Sequence, residues 1–380
     1  MSTMQPGYPV ARTVAPTVSE HLDAHLAAAR GSGFTQFAPQ PDVAQIETLI
    51  DGAFWASLQR EEGHAPKISL AFIPPEATGQ AMRFAQWLPL TPGGLAKLAP
   101  AVERPGIHLG VWPDGDGLRV WGTTRSVPNL TFVLEVVEPG LVVLKYRRGD
   151  ELDKYGTIAV LRGDHVQVVD EQGASLPDCP QLLTSLLGFE APVPAIGATN
   201  VLIQLAVSMR AHGRGGSLLV VPVGSDAWRD SVAQPIPYLV NPFDDLAGLL
   251  RAEEDERMRP AWRDALRRSV DAVAGLTAVD GATVLNERHE LLAFGVKLVR
   301  KRGSERVERV ALTAPVVGNA PEVVDPSRLG GTRHLSAAQF VHDQRDAMAM
   351  VASQDGRFTV FAWSPCEAMV HAHRVETLLM

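Results

Sequence analysis

Leu276-Thr277-Ala278-Val279-Asp280-Gly281-Ala282-Thr283-Val284, followed further along by Gly330-Gly331-Thr332-Arg333-His334, is the pair of stretches on which the fold of this chain turns. Each joins a short polar motif to a strongly apolar segment, as a ligand loop hung on a buried element does. The Gly-Gly pair can open backbone N–H groups toward an anion, Thr332 offers a hydroxyl, and Arg333 presents a planar, permanently charged fork suited to phosphate oxygens. His334 adds a neutral donor, acceptor or metal ligand. Together the motifs suggest a nucleotide site, although Asp280-Gly281 alone would be an ordinary turn. The next residue, Leu335, can bind nothing polar.

With 380 residues, 46% of them hydrophobic and 21% charged, the chain has a globular composition and the length for two domains. Its net charge of −8 argues against general affinity for nucleic acid or an anionic membrane, which needs clustered Lys and Arg, so phosphate recognition must be local. Cys179 and Cys366 lie too far apart in sequence to suggest a zinc knuckle or a disulfide framework, and a reducing cytoplasm fits them best. No apolar run approaches the ~20 residues that span a bilayer, and the N-terminus lacks a signal-peptide core. A cytoplasmic protein without a membrane partner is expected.

Residues 1–16 show no clear period and are expected to form an N-terminal arm. Helices are predicted from Ser19 to about Ala29 and, capped by Asp42, from there through Arg60, where Val43, Ile46, Leu49, Ile50, Phe54 and Leu58 keep helical spacing. From Lys67 onward, β-branched runs recur between turn signals, over 68–73, 107–112, 118–123, 130–137, 141–146, 156–161 and 165–169. Such closely spaced antiparallel strands make residues 17–176 a β-rich α+β domain. Pro177, Pro180, Pro192 and Pro194 mark 177–194 as a Pro-containing linker around a Leu-rich helix over 181–189.

Residues 195–380 form the second domain, of α/β class. It is predicted to hold a helix through Arg210, strands over 218–223 and 236–240, a helical stretch over 244–274 interrupted at Pro260, strands over 281–285, 291–298 and 307–312, a helix over 336–353, and a strand over 358–363. Gly213-Arg214-Gly215-Gly216 follows a helix and precedes a strand, the reverse of a P-loop, and suits a helix C-cap and turn. His371-Ala372-His373 has the alternate spacing of a metal pair, but a solvated pair is commoner near the end of a chain. No internal repeat is evident.

The order of a helix, Gly-rich turn and apolar strand over 201–223, then Asp280-Gly281-Ala282 with Ala293-Phe294-Gly295-Val296-Lys297-Leu298, then Gly331-Thr332-Arg333-His334 and Val351-Ala352-Ser353-Gln354-Asp355-Gly356, resembles the diadenylate cyclase (DAC) domain over about residues 195–375. The resemblance implies a mixed sheet flanked by helices. In that family the two motifs flank an ATP site, and two domains facing one another join two ATP molecules into cyclic di-AMP. Carried over, Asp280 lies beside the ribose hydroxyl and the metal, and in a cyclase it orients or activates the attacking oxygen. Gly281 and Ala282 keep the wall beside the nucleotide thin. Gly331, Thr332 and Arg333 meet the phosphates, His334 completes the metal or phosphate shell, and Ser353, at a helix end, shapes the base pocket. The resemblance further implies Mg²⁺ or Mn²⁺ with the bound nucleotide, Asp280 and His334 as metal ligands, and a homodimer.

Leu335 stands where the cyclases have the second Arg of an Arg-His-Arg triplet. Loss of such a charge-stabilising donor costs roughly 3 kcal/mol in the transition state, about a hundredfold in rate. The following residues, Phe340-Val341-His342-Asp343-Gln344-Arg345, also depart from the family, and His342 and Asp343 are candidate polar substitutes. In length, in its β-rich N-terminal region and in its eroded phosphate motif, the chain is similar to the divergent DACNV-type branch, a probable nucleotide-sensor group. That similarity implies binding rather than synthesis, because ground-state recognition survives the loss of a transition-state contact. A bacterial signalling protein is implied, one that passes occupancy to its N-terminal domain or a downstream effector protein. Two alternatives stand beside it. One is a working cyclase in which Arg210, Arg214, Arg345 or a residue of a facing subunit supplies the cation, and the other is an inert DAC-fold interaction scaffold.

Overall fold

The structure is a computed structural model. It describes residues 7–31, 36–79, 81–104, 106–115, 117–148, 155–170, 201–236, 243–257 and 259–379. The chain divides into two compact units, Met1–Val169 and Asp170–Met380. The expected linker over 177–194, its helix, and most of the expected strand over 236–240 lie outside the described residues.

Unit 1 contains helices α1 (Pro9–Gly31), α2 (Val43–Ser57) and α3 (Pro92–Leu98). Its strands are β1 (Ile68–Phe72), β2 (Ala81–Pro89), β3 (His108–Asp114), β4 (Gly117–Thr124), β5 (Phe132–Glu138), β6 (Leu141–Arg147), β7 (Tyr155–Arg162) and β8 (His165–Val168). They form one sheet in the order β2-β4-β3-β1-β5-β6-β7-β8. The expected antiparallel character holds except at the centre, where β1 runs parallel to β3 with Leu70 beside Leu109. Asp42 starts α2 through a reciprocal capping box with Gln45. The helices bury Val14, Val18, Ile46, Leu49 and Ile50 against the sheet face that carries Leu70, Leu109, Leu134 and Leu144.

Two features of unit 1 differ from expectation. Helix α1 starts at Pro9, so the second half of the expected arm is helical. Ala11, Val14, Ala15, Val18 and Leu22 recur at helical spacing and are buried. Strand β2 gave no signal because it is a sheet edge whose burial does not alternate.

Unit 2 contains α4 (Val201–Ala211), α5 (Asp245–Leu250), α6 (Glu254–Arg257), α7 (Pro260–Thr277) and α8 (Thr332–Asp343). Its strands are β9 (Gly216–Val221), β10 (Val232–Ala233), β11 (Ala282–Asn286), β12 (Leu291–Leu298), β13 (Val310–Thr313), β14 (Glu322–Val324), β15 (Met348–Ala352), β16 (Phe358–Ser364) and β17 (Met369–Arg374). The sheet order is β10-β12-β11-β9-β15-β16-β17-β13-β14. Strand β9 is parallel to β11 and antiparallel to β15. One face is covered by α4, α5 and α7 through Leu205, Leu246, Leu266 and Val270, and the other by α8 through Ala337, Ala338, Phe340 and Val341. This is the expected α/β class, a mixed sheet flanked by helices.

The largest correction concerns the expected helix over 336–353. Helix α8 runs from Thr332 to Asp343, the chain turns at Arg345-Asp346, and Met348-Ala349-Met350-Val351-Ala352 becomes the strand beside β9. Five consecutive apolar residues of low polarity on both faces suit a strand covered on both sides, whereas a helix of this unit would leave one face wet. His371 and His373 are not solvated but buried on β17, and His373 Nδ1 meets Thr313 Oγ1 at 2.7 Å. Burial and the neighbouring His371 push the His373 imidazole down to about 3, so it is neutral.

Candidate nucleotide-binding cavity

A cavity of about 590 Å³ opens in unit 2 where β9 and β11 begin and β12 and β15 end, beside the N-terminus of α8. The two motifs, separated in sequence by β12, β13 and β14, meet on its wall. Asp280, Gly281 and Ala282 line one side, Gly331, Thr332, Arg333 and His334 another, and Ser353 a third. All eight residues singled out from the sequence therefore share one cavity.

Local folding explains how they arrive there. Gly281 has φ +110, and a Cβ there would lie 2.6 Å from the Val296 carbonyl oxygen, so the turn into β11 closes against the β12 backbone only with glycine. The neighbouring strand thus constrains Gly281, which also lines the cavity. Gly331 is the N-cap of α8 and contributes no side chain to cap it, which leaves the positive end of a 12-residue helix to an anion. Arg333 is half-buried, with Nη1 3.3 Å from where a Cβ on Gly215 would sit. The 213–216 segment is the turn its order suggested, with Gly213 and Gly215 both at positive φ, and it makes room for the guanidinium.

Asp280 is exposed and forms no ion pair or side-chain hydrogen bond among the described residues. His334 is buried, packs edge-on to Phe361, and has its Nδ1 within 2.7 Å of where a Cβ on Gly330 would lie. Burial lowers its imidazole below the ordinary range against an opposing pull from Asp355, and its Nε2 is enclosed without a hydrogen-bond partner. No group of three His, Cys, Asp or Glu side chains that could hold a metal occurs among the described residues. Asp280 alone suits a hard cation that takes its other ligands from phosphate and water.

Several lining residues were given no role from the sequence. Lys297 projects from β12 into the cavity edge and is exposed, and the one cue to it was its polar position in an otherwise apolar run. Ser217, Ser336 and Gln354 also line the cavity, whereas Leu335 does not. Ser353 lies at the end of β15 rather than of a helix and supports the Asp355 turn. Two of the candidate replacement cations are occupied elsewhere. Arg210 donates to the carbonyls of Gly356 and Leu379, and Arg345 stacks on Trp363. Asp343 is a buried latch at the far end of α8, accepting from Lys301 N, Gln339 Nε2 and Ser304 Oγ, so it is no substitute phosphate ligand.

Residues 35–125 match the family model described as "Probable sensor domain DACNV". The match lies within unit 1. The DACNV match spans α2 through β4, so the DACNV resemblance is borne out on the N-terminal unit and not on the motifs around 280 and 332. No curated protein matches the chain. Among solved structures it is similar to a hypothetical membrane spanning protein from Bacillus cereus, at 14% identity and a TM-score of 0.28, over 50% of this chain and 69% of that one. No helix among the described residues is long and apolar enough to cross a membrane.

Proposed function

We propose that the chain is a two-unit sensor protein whose unit 2 binds a nucleotide or nucleotide-derived signal. The observation that carries this is the convergence of Asp280, Arg333, Lys297 and the α8 N-terminus on one cavity. Arg333 and the helix end take the phosphates, Lys297 adds a second cation at the rim, and the Ser217, Thr332, Ser336 and Ser353 hydroxyls serve ribose or base. Asp280 holds Mg²⁺ or Mn²⁺ jointly with phosphate oxygens. Occupancy then favours one conformation of the unit and is read by the DACNV domain or by a downstream effector protein.

A second function, cyclisation of two ATP molecules to cyclic di-AMP, draws support from the exposed, unpaired Asp280 carboxylate, which can orient a ribose hydroxyl. It needs two such cavities face to face in a homodimer. The inert-scaffold alternative expects Asp280 and Thr332 on opposite faces of the unit, and their sharing one cavity counts against it. Incubating the full chain with ATP and Mg²⁺ or Mn²⁺, with mass spectrometry of bound nucleotide and product, separates the functions. Unchanged ATP retained by the wild type and lost in Asp280→Ala or Arg333→Ala supports the sensor. Cyclic di-AMP formed by the wild type and abolished in Asp280→Ala would make it a cyclase, and no retained nucleotide at all would overturn both.

A further inference from the structure

The first seven positions of the two sheets coincide. In unit 1 the order β2-β4-β3-β1-β5-β6-β7, and in unit 2 the order β10-β12-β11-β9-β15-β16-β17, use strands in the same chain order with the same directions. Within these seven positions each has one parallel pair, β1 with β3 and β9 with β11, at the same place, and antiparallel pairs elsewhere. A helix precedes the central strand in both, α2 in one and α4 in the other. Aligned by register, Ile68-Ser69-Leu70-Ala71-Phe72-Ile73-Pro74 falls on Gly216-Ser217-Leu218-Leu219-Val220-Val221-Pro222, with Ser, Leu and Pro shared and Leu70 and Leu218 both facing the helices. The repeat escaped the sequence because little beyond this segment keeps its side chains.

The copies differ at one junction. Residues 125–131 join β4 to β5 in unit 1, whereas residues 299–347 join β12 to β15 in unit 2 and bring β13, β14 and α8, including Thr332, Arg333 and His334. The cavity floor differs too. In unit 2 the row across the sheet is Val296, Ala282, Ser217 and Val351, all lining the cavity. The register places Thr124, His108, Ser69 and Glu135 on that row in unit 1. There an imidazole replaces the Ala282 methyl group. His108 Nδ1 meets Ser69 Oγ at 2.7 Å, its Nε2 meets Tyr155 Oη at 3.0 Å, and His108 is 1% exposed.

We infer that the chain is an internal duplication of one fold in which unit 1 lacks the phosphate-binding insertion and closes the equivalent floor with the His108 cluster, so that each chain holds one nucleotide, in unit 2. The DACNV match lies on the closed copy. The stoichiometry rests on the nucleotide proposal above, but the closure does not. Native mass spectrometry of the full chain with ATP and Mg²⁺ is expected to show one ATP per chain, lost in Ala282→Phe and kept in His108→Ala and Tyr155→Phe. Two ATP per chain, or one that survives Ala282→Phe and is lost in His108→Ala, overturns the inference. With no ATP bound by any form the nucleotide proposal fails, and the closure is decided by stability alone. Removal of a buried ring is expected to lower the Tm of His108→Ala by several degrees, with millimolar imidazole restoring part of the loss, and Tyr155→Phe to fall less. An unchanged Tm in His108→Ala overturns the closure; should that variant not fold, an unchanged Tm in Tyr155→Phe does.

Discussion

Replacing Arg333 with Ala tests the phosphate assignment against a built-in control, Lys297. Both cations line the cavity, but Arg333 is half-buried, wedged beside Gly215, whereas Lys297 is exposed on β12. A charge-assisted, bidentate contact in a partly dry setting is worth about 2 kcal/mol or more, so Arg333→Ala is expected to weaken ATP binding about 30-fold. An exposed ion contact is worth about 0.5 kcal/mol, so Lys297→Ala should cost only about 2- to 3-fold. Salt widens the contrast, because rim charges are screened over ~10 Å at 0.1 M while partly buried ones are screened less. Isothermal titration with Mg-ATP at two ionic strengths measures both variants. Equal losses, or a change in Arg333→Ala within about threefold, would refute the placement of phosphate at the α8 N-terminus.

Other consequences concern stability. Asp343 is fully buried with three donors on its carboxylate, so Asp343→Ala strands them and should cost about 3 kcal/mol, read as a lowered midpoint in urea. At Gly281, Gly281→Ala meets both a positive φ and the Val296 carbonyl, and a loss of about 2 kcal/mol or more is expected with nucleotide binding weakened in parallel. His373 has a folded pKa near 3, below its unfolded value of about 6.5. Its contribution is therefore complete above pH 6.5 and fades as pH falls toward 3, because only the unfolded chain takes up the proton, at about 1.4 kcal/mol per pH unit. Melts between pH 7 and pH 5 should fall with acid, and His373→Gln should flatten the slope by about one proton; an unchanged slope would count against a neutral, buried His373.

The sequence carried most of this fold where one period ruled a segment. The capping residues and apolar spacing marked α2, and β-branched runs between Gly and Pro turns marked β3 to β7. Period failed where an element is buried on both faces or on neither. Met348-Ala349-Met350-Val351-Ala352 is equally apolar as helix or strand, and only its place beside Ser217 and Leu218 decides for strand. Strand β2 has no buried face to reveal it. The cavity was legible through Asp280 and Gly331-Thr332-Arg333-His334 because their chemistry is unusual for a turn. Lys297 and Ser336 were not, since an exposed Lys on a strand and a Ser on a helix belong to any surface until the tertiary fold turns them inward.

The position of β15 also fixes an order in time. Ser217 leaves the ribosome well before Val351, its partner across the floor of the cavity, so β9 must wait with one edge unpaired while β10 to β14 are made. Unit 1 pairs β5 to β8 as successive hairpins and can be finished first. Until β15 docks, unit 2 presents the bare flank of a Val- and Leu-rich strand, the state most open to misassociation. Rapid synthesis or heat would therefore spoil unit 2 while leaving unit 1 folded.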